Sequence, residues 1–134
     1  MHKKLLFLCT GNSCRSQMAE GLANIKLNKK FKIYSAGVEA HGLNPRAVKV
    51  MDEIGIDISP HASKTISNNE LSQYDIIVTL CGSARDRCPA LVGDKRNIHW
   101  GLDDPANATG TEKEIMDIYR DVRDQISCNI DSLL

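Results

Sequence analysis

Cys9 and Arg15 stand six residues apart in the run Cys9-Thr10-Gly11-Asn12-Ser13-Cys14-Arg15. A thiolate is a nucleophile, and a guanidinium forks onto two oxygens of a tetrahedral anion. The residues between them are small, and Gly11 and Asn12 can take left-handed backbone angles. Such a loop can turn several N–H groups onto one point and cradle negative charge. The same field favours the thiolate form of Cys9. The bare spacing also fits a buried cysteine near a solvated arginine, so the flanking elements decide. Leu5-Leu6-Phe7-Leu8 reads as a short buried strand, and Met18, Leu22 and Ile25 recur on one face of a helix behind the loop. Strand, loop and helix in that order place the loop at a helix N-terminus, where partial positive charge favours an anion.

Further elements alternate along the chain. Strands are expected at 4–8, 31–35 (closed by Ala36-Gly37), 75–80 and 95–99, and the first helix at 13–26. Asn44 caps a second helix with Pro45 in its first turn; Ala47, Val48, Met51 and Ile54 face inward and Gly55 ends it. A polar stretch from Gly82 to Asp94 has room for one helical turn before Pro89. The last helix opens on the capping box Thr111-x-x-Glu114 and buries Ile115, Ile118, Tyr119, Val122, Ile126 and Ile130. This alternation implies an α/β fold, a doubly wound four-stranded parallel sheet with helices on both faces and the order 2-1-3-4. The crevice then opens at the carboxyl ends of strands one and three. Cys9 and Cys81 end those two strands, on neighbours about 4.8 Å apart. The loop holding Asp103-Asp104-Pro105 opens on the same edge.

Composition bounds the rest. At 134 residues, residues 1–134 are expected to form a single domain with a core that needs no staples. Seventeen basic and seventeen acidic residues balance, which gives no bulk-charge argument for a nucleic-acid or membrane partner. Without a spanning apolar run or a signal-like leader, the expected compartment is the cytoplasm. Five cysteines in such a chain argue for redox or nucleophilic chemistry rather than a disulfide framework. The histidines are not spaced as zinc ligands, so no metal site is expected.

The loop from Cys9 to Ser16, together with Cys81 and Cys88, resembles the thioredoxin-coupled arsenate reductases built on the low-molecular-weight protein tyrosine phosphatase fold. Tyr34-Ser35-Ala36-Gly37, Asn44-Pro45, Val78-Thr79-Leu80-Cys81 and His99-Trp100-Gly101 through Asp104-Pro105 extend the likeness over essentially the whole chain. The resemblance implies that Cys9 attacks arsenate while Arg15 and the loop Thr10, Gly11, Asn12, Ser13 and Cys14 hold its oxygens, with phosphate or sulfate as competing oxyanions. It gives Asp104 the role of general acid. It implies a transient Cys9–Cys81 disulfide, then Cys81–Cys88, reduced by thioredoxin with no bound cofactor in a monomeric enzyme. Were residues 81–88 helical, the Cα atoms of Cys81 and Cys88 would lie about 10 Å apart, beyond the roughly 4.4–6.8 Å of a disulfide, so that segment must unwind or loop out on oxidation.

Ser16 either donates to the Cys9 thiolate or merely starts a helix, and Asn12, Ser35 and His61 resemble a network propping the loop from behind. Cys14 and Cys128 read as packing thiols, and Trp100 as an anchor for the loop carrying Asp104. Some of these reductases bind potassium near Asn12, Glu20 and Ser35, with an aspartate where this chain has Lys64. A lysine there implies no potassium dependence, its ammonium pairing with Glu20 instead. Two rival readings differ in class. One is a tyrosine phosphatase, which resembles this chain less because Ala106 follows Pro105 where a tyrosine is usual; weak phosphatase activity stays open because the cradle is shared. The other is a non-catalytic redox or oxyanion sensor, which leaves Asp104 without a task.

Overall fold

The computed structural model describes residues 3–81 and 96–133, and for Asn68, Cys81 and Arg96 their backbone alone. Strands β1 (Lys3–Cys9), β2 (Phe31–Gly37), β3 (Ile76–Cys81) and β4 (Arg96–Leu102) form one sheet in the order β2-β1-β3-β4. Every pairing in it is parallel, as the alternation of strands and helices requires. β1 is central and covered on both sides, which is why Leu5 through Leu8 are a continuous apolar run rather than an alternating one.

The pleat sends alternate residues to two cores. Leu5, Phe7, Cys9, Val78 and Leu80 meet helices α1 (Arg15–Lys26), α2 (Pro45–Asp52) and α4 (Glu112–Asp131) on one face. Leu6, Leu8, Ala36 and Ile77 face the other, where Tyr34, Ile66, Leu71 and Tyr74 pack. The one-turn helix α3 (Asn68–Leu71), under a Ser67/Glu70 capping box, covers that side and is an addition to the expected elements. A one-turn 3-10 helix at Pro105–Asn107 is likewise an addition.

Boundaries shift in ways that matter. β1 runs to Cys9 itself, α1 starts at Arg15 rather than at residue 13, and β4 extends to Leu102 with Trp100 inside it. Trp100 packs on Phe7 with ring centroids 5.9 Å apart, which anchors the chain just before Asp104.

Three expected core residues are on the surface: Ile25 is 60% exposed, Ile54 44% and Ile118 39%. The stripe α1 buries late in its course is centred between Leu22 and Ala23, and Ile25 lies roughly 110° round the helix from it. On α4 the stripe runs through Met116, Tyr119, Val122, Arg123, Ile126 and Ile130, so Met116 takes the place assigned to Ile118. Ile54 lies past the last helical residue of α2, where the chain turns into Gly55 at φ +80°. Cys128, expected to pack, is exposed because it sits on the opposite side of α4 from that stripe. Among the described residues no helix is long and apolar enough to cross a membrane. The expected helical turn before Pro89, Lys95 and the position of Cys88 lie outside the described residues.

Candidate oxyanion site

Parallel pairing of β1 with β2 reaches Cys9 opposite Gly37 and then continues as a strap beyond both strands. Val38 N donates to Cys9 O (3.3 Å), Glu39 N to Thr10 O (2.9 Å), His41 N to Gly11 O (2.9 Å) and Asn44 N to Ser13 O (3.1 Å). Ser63 Oγ adds a second bond to Gly11 O at 3.0 Å. These bonds tie the carbonyls of Cys9, Thr10, Gly11 and Ser13 to the strap and hold the loop in one curve. Gly37 makes that approach possible, since a Cβ there would lie 2.7 Å from Asn12 N and from the carbonyl oxygens of Thr10 and Glu39. Asn12 takes the left-handed conformation at φ +46°, as expected, whereas Gly11 does not. Gly11 is required for space instead: a Cβ would collide with the imidazole of His41.

The pocket so formed measures about 110 Å³ and is lined by Cys9, Thr10, Gly11, Ser13, Cys14, Arg15, His41, Asp104 and Ala106. Cys14 stands at the N-cap of α1 without a side-chain cap, so the pocket opens at a helix N-terminus, where partial positive charge favours an anion. Arg15 is 2% exposed, yet its charge is well supported. Its Nη1 donates to Leu80 O and Leu102 O, both at 3.0 Å, and its Nη2 lies 3.5 Å from Asp104 Oδ2. Asp104 Oδ1 accepts from Ala106 N at 3.0 Å, so the carboxyl is aimed by the short helix it caps. Ser16 Oγ donates to Cys9 Sγ at 3.4 Å, which resolves its role toward the thiol. Cys14 is different: burial pushes its thiol well above the usual range, Asp104 and Cys9 add to that, and Arg15 opposes them. It therefore stays protonated and unreactive.

Asn12 is fully buried and its side chain turns away from the pocket. Its Nδ2 donates to Ser16 Oγ (2.9 Å) and Ser35 Oγ (3.0 Å), and its Oδ1 accepts from Lys64 N (2.7 Å) and Gln17 Nε2 (3.1 Å). Ser35 Oγ donates onward to Glu20 Oε1 at 2.7 Å. His61 Nδ1 lies 3.1 Å from both Glu20 Oε2 and Gln17 Oε1, and Lys64 Nζ is 4.0 Å from Glu20 Oε1. The propping network of Asn12, Ser35 and His61 is thus in place behind the loop, with Ser16 its link to Cys9. Sequence reasoning missed Gln17 and His41. Gln17 carries no signal, being one more polar residue on a helix, and neither does His41, which reaches the pocket only through the strap.

Continuing the β1–β3 register from Leu8 opposite Thr79 sets Cys9 level with Leu80, and Cys81 one residue further along the adjacent strand. The β3–β4 ladder is irregular between Thr79 and Cys81, after which Cys81 pairs with Leu102. Both residues joined by Arg15 are therefore immediate neighbours of Cys81 along the chain or across the sheet.

Residues 4–134 match the low molecular weight phosphotyrosine protein phosphatase family. The arsenate reductase of Halalkalibacterium halodurans is 56% identical over 131 residues, covering 97% of this chain and 94% of that protein. That of Bacillus subtilis is 55% identical over 125 residues, covering 93% and 90%. A solved structure of an arsenate reductase in its phosphate-binding state superposes with a TM-score of 0.81 at 34% identity, over 98% of this chain and 95% of that one. The family match spans the loop from Cys9 to Arg15 and all four strands of the sheet, and the chain belongs to the low molecular weight phosphotyrosine protein phosphatase family, with relatives in it named arsenate reductase.

Proposed function

We propose that this protein reduces arsenate to arsenite through three thiols, with thioredoxin as the final reductant. The observation that carries the reading is Cys9, hydrogen-bonded by Ser16, at the floor of an anion pocket whose arginine is tied to the residue preceding Cys81. The Cys9 thiolate attacks arsenic while Arg15 and the loop amides hold the oxygens, and one oxygen leaves as water with a proton from Asp104. The Cys81 thiolate then attacks Cys9 sulfur. An S–S bond forms, the S–As bond breaks, and its electron pair stays on arsenic, which leaves as arsenite. Cys88 attacks Cys81 in turn and frees Cys9, storing the oxidation as Cys81–Cys88, which a thioredoxin dithiol reduces.

On this reading the catalytic residues are Cys9, Arg15, Cys81, Cys88 and Asp104, acting as a single-domain monomer in the cytoplasm. No metal, bound cofactor, nucleic acid or membrane takes part. A potassium ion fits poorly behind the loop, because Lys64 Nζ already stands 4.0 Å from Glu20 Oε1 and would repel it. Phosphatase action on aryl phosphates is a weak second activity. The cradle permits it, but Ala106 lines the mouth and, among the described residues, no aromatic side chain does.

The test is arsenate-dependent NADPH oxidation with thioredoxin and thioredoxin reductase, comparing wild type with Cys88→Ser. Wild type turns over continuously and the variant stops after one turnover. Sustained turnover by Cys88→Ser refutes the relay.

A further inference from the structure

Among the described residues lining the pocket, Arg15 and His41 are the two able to carry positive charge, and the mechanism above uses the first alone. His41 is fixed at three points. Its backbone N–H donates to Gly11 O at 2.9 Å, which holds its Cα beside the loop. Its ring sits on the Gly11 backbone so closely that a Cβ at Gly11 would come within 2.7 Å of His41 Cγ. Its Nε2 lies 2.6 Å from Glu39 Oε2, which sets the plane of the imidazole. Both partners are about half exposed, so the pair stands at the mouth of the pocket rather than under it. Across the mouth the wall is the methyl group of Ala106, in the short helix that Asp104 caps.

We propose that His41, aimed by Glu39, is a specificity-determining residue that selects a free tetrahedral oxyanion over a phosphate ester. The inference deepens the reading given under Proposed function and rests on it for the identity of the anion. A free oxyanion is charged on the oxygen that faces the mouth as well as on those in the cradle, and a polar, charge-capable imidazole there stabilises it. An ester bears a carbon substituent on that oxygen. It needs an apolar wall for the substituent and loses the acceptor that would repay a polar one. Among the described residues the rim supplies the polar wall, and its apolar side is no larger than the Ala106 methyl. Glu39 contributes by holding the ring in place, without touching the anion.

Two readouts separate this from the reduction chemistry. Protection of Cys9 from iodoacetamide by inorganic phosphate measures anion affinity whether or not arsenate is reduced, and p-nitrophenyl phosphate hydrolysis measures the ester. His41→Ala is expected to weaken phosphate protection and raise the arsenate KM by about tenfold, ~1.4 kcal/mol, while kcat falls less than about threefold. Hydrolysis of p-nitrophenyl phosphate holds steady or rises. His41→Gln, which keeps a polar donor, restores part of the affinity, and Glu39→Gln gives a smaller loss in the same direction. Phosphate protection unchanged within about twofold in His41→Ala overturns the proposal. So does a parallel fall of arsenate and ester activities, which would mark simple collapse of the loop. Should wild type protect Cys9 with phosphate yet fail to reduce arsenate, the activity reading falls while the choice of free anion over ester is still decided by the other two measurements.

Discussion

Replacing Asn12 with alanine attacks the shape of the anion loop and its support together. The residue is fully buried, donates two hydrogen bonds to Ser16 and Ser35, and accepts two from Lys64 N and Gln17. A typical internal hydrogen bond contributes about 1 kcal/mol net, so losing these removes about 4 kcal/mol. A side chain with a Cβ held at φ +46° adds about 1 kcal/mol of strain that asparagine partly escapes. A loss of about 4–5 kcal/mol is a large part of a total that runs to about 5–15 for a domain. Asn12→Gly loses the same hydrogen bonds without the strain and should be about 1 kcal/mol more stable than Asn12→Ala. Urea unfolding followed by the fluorescence of Trp100, the one tryptophan in the chain, measures both. A destabilisation under about 1.5 kcal/mol for Asn12→Ala would mean that the loop does not depend on this network. Equal stability of the two variants would mean that the left-handed angle carries no strain.

Other expectations can be checked as directly. Iodoacetamide on the native protein near pH 8 should modify Cys9 and the exposed Cys128 but spare Cys14, whose thiol burial keeps protonated; peptide mapping shows which were labelled. Glu53 is held below the usual carboxylate range, first by its hydrogen bonds with Arg120 and then by Arg123. Its contribution to stability is present above the unfolded value of about 4.3 and lost as pH falls through the lower folded value. The Tm gap between wild type and Glu53→Gln should therefore be open at neutral pH and close on acidification; a gap constant with pH would count against the pairing. Exchanging sodium for potassium at constant ionic strength should leave the wild-type Tm unchanged. Lys64→Asp, which turns the charge beside Glu20 negative, should make Tm rise with potassium, and indifference of that variant would remove the argument from Lys64.

Local signals made much of the molecule readable. The buried run Leu5 to Leu8, the Asn44-Pro45 cap and the Thr111/Glu114 box each declare an element within a few residues, and the sheet order follows from how such elements can connect. What misled was reading one helix face from its apolar residues alone. Ile25 and Ile118 fit the period, but the buried stripe is set by what lies opposite, and α4 spends a stripe position on Arg123, bonded to Val50 O at 2.7 Å. His41 shows the other limit. Its place at the pocket comes from a strap that continues a strand pairing 28 residues apart in sequence, and no local pattern encodes that.

The same topology makes Arg15 more than a hand for the substrate. Its Nη1 spans Leu80 O and Leu102 O, so one buried guanidinium joins the ends of β3 and β4 at the point where their ladder is irregular. Cys81 follows the first of these carbonyls in the chain and pairs across the sheet with the residue bearing the second. A lysine at position 15 keeps the charge but not the fork, and cannot hold two strand ends and an oxyanion together. On the reading proposed above, the residue that holds the anion for Cys9 also fixes the backbone from which Cys81 attacks. On that reading one side chain couples Cys9 to the backbone at Cys81 and so sets the first disulfide, while the second also needs Cys88.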